Sequence, residues 1–111
     1  MAALRESLEL AERLDDAAGT AEALEKLAVV TARRGDSVAA VRLLGRADAL
    51  REPIGVPRQA DHAAWVERCE ADIRGELGEN RFTAELEHGR AATTGEVVRI
   101  ALAARVASRD P

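Results

Sequence analysis

Residues 24–53 read LEKLAVVTARRGDSVAAVRLLGRADALREP, and their spacing decides the fold class. Leu24, Leu27, Ala28 and Thr31 fall on one helical face, and Ala40, Val41, Leu44 and Ala47 repeat that pattern after a break. At the break, Gly35 can enter a left-handed turn without a Cβ penalty. Asp36 then offers a carboxylate oxygen to the free amides that open the next helix. The stretch therefore predicts two amphipathic helices joined by a tight turn. A second stripe on the later helix, Leu43, Ala47 and Leu50, predicts burial on two sides, as for a helix held between neighbours.

Working outward, helical period continues in both directions and no segment alternates with period two. Before the pair, residues 2–16 predict a helix with Leu4, Leu8 and Ala11 on one stripe, Leu10 and Leu14 beside it, and Glu9 spaced to pair with Arg13. Thr20 is the expected N-cap of the next helix. After the pair, EPIGVP (52–57) is the clearest joint, because Pro53 and Pro57 lack amide donors. A fourth helix is expected over residues 58–76, with Trp65, Cys69, Ile73 and Leu77 four apart and Gly78 as its stop. Its solvent side spaces Glu70 to pair with Arg74. A short fifth helix over 80–88 carries Phe82 and Leu86 and ends before Gly89. The sixth opens with Thr93 and Glu96 at capping-box spacing and turns Val97, Ile100, Ala101 and Ala104 inward.

Composition agrees with stacked helices. The 111 residues are 47% hydrophobic but only 2% aromatic, so Ala, Leu and Val must fill the core. Small residues let helix axes approach closely, and Ala is the best helix former. A net charge of −4, with no basic cluster interleaved with aromatics, argues against a nucleic-acid surface. No apolar run reaches the roughly 20 residues a bilayer requires, so a cytoplasmic protein is expected. One lysine against fifteen arginines, together with abundant alanine, suggests a high-GC bacterial source.

Chemistry-bearing residues are sparse. His62 and Cys69 lie seven apart, roughly on one face, but no helical His pair or CxxC accompanies them, and no metal is expected. Cys69 reads as a small core residue on the Trp65 stripe. The carboxylates Glu67, Glu70, Asp72, Glu76 and Glu79 are interspersed with Arg68, Arg74 and Arg81, the pattern of a solvated mixed-charge face. None of the serines sits in a nucleophile elbow. No enzymatic activity and no cofactor are expected.

Residues 24–53 resemble one tetratricopeptide (TPR) unit, with Leu24, Leu27 and Ala28 on its first helix, Gly35 at the turn, and Ala40, Leu44 and Ala47 on its second. The wider succession ESLELAERLDD, LLGRADALRE, and the F-x-x-x-L-x-x-G-R stretch from Phe82 to Arg90 is similar to the C-terminal TPR-like region of large bacterial LuxR-type and related ATP-binding transcriptional regulators. The resemblance implies an all-α fold of about six helices in stacked antiparallel pairs, forming the end of a right-handed α-solenoid. Residues 1–18 would be a half repeat, 20–53 a TPR-like unit, and 58–108 a divergent three-helix cap. The implied role is a regulatory scaffold for protein partners or for other domains of the parent regulator. No Walker loop or recognition helix is present. A half repeat leaves an apolar face without a neighbour, so Leu4, Leu8 and Ala11 are expected to be open and to support homodimerisation. Two other readings remain: a small-ligand sensor with a pocket lined by Trp65, Phe82 and Leu86, and a DNA-binding helical module, which the charge opposes.

Overall fold

A computed structural model describes the backbone of residues 2–109, with side chains over 6–103. Among the described residues, six helices account for the fold: α1 (Ala2–Arg13), α2 (Ala17–Arg33), α3 (Ser37–Ile54), α4 (Ala60–Leu77), α5 (Glu79–Ala91) and α6 (Thr94–Arg109). No strand occurs among them.

The α2–α3 pair forms as its spacing predicts. Gly35 sits at φ 94°, and the Asp36 carboxylate accepts from the Ala39 amide at 3.0 Å. The start of α2 differs from expectation. Asp16 caps it, accepting from the Gly19 amide at 2.9 Å, while Thr20 lies buried inside the helix. The Ala-Ala-Gly run ahead of Thr20 continues the helix back one turn, and Asp is at least as good a cap as Thr.

Pro53 does not stop α3. The helix runs through it to Ile54 and closes at Gly55, which is left-handed at φ 63°. In the last turn a proline withholds one donor from the carbonyl four residues back, a smaller loss than in mid-helix.

The core centres on α2 and α3. Leu24, Leu27, Ala28, Ala40, Val41, Leu43, Leu44 and Ala47 are all at most 1% exposed, so α3 is buried on both predicted stripes. It packs against α2 on one side and α5 on the other. The α3–α5 crossing is tight. A Cβ on Gly45 would collide with the Leu86 carbonyl oxygen, and one on Gly89 would fall 2.6 Å from the Arg42 Cα. Gly89 is therefore inside α5 as a packing residue, and α5 continues past the predicted end to Ala91. Arg42 bonds Glu85 across the same crossing, at 3.0 and 3.2 Å.

The last helix departs from an advancing solenoid, in which each unit contacts only its neighbours. Instead α6 returns to pack on α3 and α2, burying Val97 and Ala101. Arg46 Nε donates to Thr94 Oγ1 at 3.1 Å where α6 begins, and the Thr93 hydroxyl oxygen accepts from the Glu96 amide, as the capping spacing predicts. Ile100, expected inward, is 39% exposed. Ala104 lies outside the residues whose side chains are described.

The expected open face on α1 is closed. Leu8 and Ala11 are 4% and 7% exposed, turned into the molecule where α1 packs on α2. Leu8 also lies at a cleft of about 370 Å³ between α1 and α6, lined further by Val98 and Leu102. The stripe presented outward on this side is the other one, with Leu10 and Leu14 at 54% and 69% exposure. Leu4 lies outside the residues whose side chains are described. No helix among the described residues is long and apolar enough to cross a membrane.

Candidate functional site

Helix α4 is only lightly attached to the α2–α3 pair. It buries Val66, Cys69 and Ile73, one residue per turn, against α2 and α3. Trp65, next to Val66 in sequence, is therefore rotated off the buried line and is half-buried. It opens onto a groove of about 420 Å³ between α2 and α4. Val29, Ala32, Trp65, Cys69 and Ile73 form the apolar part of that groove, and Arg33, Arg68, Asp72 and Glu76 stand around it.

Each end of α4 is tied by polar contacts. At the C-terminal end, the Ser37 hydroxyl at the start of α3 donates to a Glu76 carboxylate oxygen. The N-terminal end is held at Glu25 of α2, which is 0% exposed. Arg51 of α3 forks onto both oxygens of that carboxylate, each bond 2.9 Å long. Arg58 of the α3–α4 connection adds a 2.6 Å bond from Nε, and His62 Nε2 of α4 lies 2.8 Å from Oε1. Four contacts fill the acceptor capacity of one carboxylate. Burial pushes the Glu25 carboxyl up, but the hydrogen bonds from Arg51, Arg58 and His62 outweigh it and hold the group below its ordinary range. Arg58 also reaches Asp48 at 2.9 Å, so two guanidinium groups neutralise two carboxylates. Desolvation pushes Asp48 and neighbouring Glu70 up despite the attraction of Arg58.

This cluster was not anticipated from the sequence, although a signal existed. Glu25 follows Ala21 by four residues and precedes Ala28 by three, which puts a charge on the buried face of α2. A carboxylate there requires a cation, but its partners come from α3 (Arg51), the following joint (Arg58) and α4 (His62), which no local spacing ties to Glu25.

The expected ligand pocket is not assembled. Trp65 lines the α2–α4 groove, but Phe82, at 1% exposure, belongs to the core, and neither it nor Leu86 borders that groove. Arg74 does not pair with Glu70. Its guanidinium covers the Phe82 ring at 4.5 Å, and its Nε lies 3.5 Å from Glu79. Cys69 is buried, and burial together with Asp72 and Glu70 pushes its thiol up, which leaves it protonated and weakly nucleophilic. His62 is engaged with Glu25, and no group of three or more His, Cys, Asp or Glu side chains among the described residues is placed to hold a metal ion.

The class defined by this fold and site is an all-helical domain with an inter-helix groove. No family model, no curated protein and no solved structure matches the chain.

Proposed function

We propose that the chain is a non-catalytic protein-binding module, TPR-like in its α2–α3 pair, and that it serves as a regulatory scaffold in a bacterial transcriptional regulator of the LuxR-type class. The observation that carries the binding role is the groove between α2 and α4. It combines one large half-buried aromatic, a frequent anchor of protein interfaces, with an apolar floor and charges of both signs at its rim. Such a surface suits a protein segment that inserts one apolar side chain and flanks it with an acidic residue facing Arg33 or Arg68 and a basic residue facing Asp72 or Glu76. The assignment to a regulator rests on the order of the sequence motifs.

A peptide-display selection on the folded chain tests this reading. The expected result is a consensus of an apolar residue between opposite charges, enriched on the native chain and lost on Trp65→Ala and Arg68→Glu. A consensus that survives both substitutions, or no enrichment at all, contradicts it. Saturation of Trp65 fluorescence by a small metabolite, with no peptide enriched, would instead establish the ligand-sensing alternative.

A further inference from the structure

We propose that α4 is a hinged flap over the α2–α4 groove, with its hinge at Gly78 and its latch at Glu25. Four observations converge on this arrangement. First, α4 has a small apolar attachment, Val66, Cys69 and Ile73, whereas α3, of the same length, buries seven side chains and Gly45. Cooperative units with few buried apolar contacts open at lower free energy than the rest of a fold.

Second, Gly78 alone separates α4 from α5, and it stands at φ 84°, ψ 155°, a conformation that glycine adopts without strain. Third, the far side of that joint is fixed. Phe82 is inserted in the core, and α5 is locked on α3 by the close approach at Gly45 and Gly89. Rotation at Gly78 therefore moves α4 and leaves α5 in place.

Fourth, the strongest polar attachment of α4 lies at the end away from the hinge. His62 and Arg58 join a carboxylate that Arg51 already holds from α3. Release of His62 and Arg58 frees the N-terminal end of α4 without leaving Glu25 unpaired. The stretch from Gly55 to Arg58 connects the two sides and is largely exposed, so its backbone can follow the motion. The Ser37–Glu76 bond lies next to the hinge and moves little. The proposal does not depend on what occupies the groove.

The chain carries its own reporter, because its sole cysteine, Cys69, is on the buried side of α4. Modification of Cys69 by a maleimide under native conditions, normalised to the rate in the unfolded chain, reads the opening of α4. Amide hydrogen exchange in α3 and α5 reads opening of the core. In Arg58→Ala and His62→Ala, Cys69 modification is expected to accelerate by about tenfold or more, the factor implied by loss of one charge-assisted hydrogen bond. Core amide exchange is expected to stay as in the unsubstituted chain, and His62→Gln, which retains a donor, to restore slow modification. Acceleration that merely parallels core exchange, or no acceleration in either variant, overturns the proposal.

Discussion

Gly45 of α3 and Gly89 of α5 lie on the two sides of one helix crossing, and each has the other helix's backbone where a Cβ would stand, Leu86 and Arg90 for the first and Arg42 for the second. Glycine lowers helix propensity by about 1 kcal/mol relative to alanine, so its presence in two helix interiors is explained by packing. Gly45→Ala and Gly89→Ala should each destabilise the fold by about 1–3 kcal/mol net of the propensity gain, because the obstructing atoms are backbone and cannot step aside. Gly75, inside α4, meets nothing within 4 Å of a built Cβ. Gly75→Ala should therefore stabilise by about 0.5–1 kcal/mol. Thermal melts of the three variants check the opposite signs.

The pH dependence of stability should have two phases. Asp48 and Glu70 are raised in the folded state, so the fold binds their protons more readily than the unfolded chain does, and stability rises as pH falls through their folded range. Glu25 is lowered, so its contribution is full above its unfolded pKa of about 4.3 and is lost as pH falls through the lower folded value. Urea unfolding from pH 7 downward should show a shallow gain followed by a loss below about pH 4.

Removing the Glu25 charge at neutral pH should be far more damaging than removing an exposed one. Glu25→Gln leaves Arg51 without its carboxylate in a buried setting, and Arg58 with Asp48 alone, and is expected to cost about 3–5 kcal/mol. Disruption of the exposed Lys26–Glu22 pair by Glu22→Gln should change stability by less than about 1 kcal/mol. Denaturant midpoints for the two variants provide the comparison.

Phe82 and Trp65 should separate a core role from a surface role. Phe82→Ala is expected to cost about 3–5 kcal/mol, whereas Trp65→Ala, from a half-buried position, should cost less and leave the helical circular dichroism intact.

Much of the architecture was legible because helical period and turn chemistry are local signals. The Asp36 cap, the Gly35 turn and the two-sided burial of α3 all follow from residues 24–53. Two kinds of feature were not legible. Gly89 looks like a helix stop in sequence, and only the approach of α3 shows that it is a contact surface. The α1 stripe expected to be open is instead closed, since Leu8 and Ala11 turn inward while Leu10 and Leu14 are exposed. Two adjacent apolar stripes on one helix do not say which meets the core, and the return of α6 to α2 and α3 is a long-range event that no local spacing encodes. Trp65, Phe82 and Leu86 were grouped by type, yet Val66 takes the buried place beside Trp65 and leaves the tryptophan on the groove.

The α2–α4 groove is the proposed meeting place of this chain with a protein partner. Its most direct test is a titration of the intrinsic fluorescence of Trp65 with a peptide carrying the selected consensus, in the native chain and in Arg68→Glu. The expected result is a saturable shift that is weakened about tenfold or more by Arg68→Glu, and unchanged by Arg81→Glu on the exposed side of α5. A peptide that binds all three proteins equally, or binds without altering Trp65, would contradict the claim.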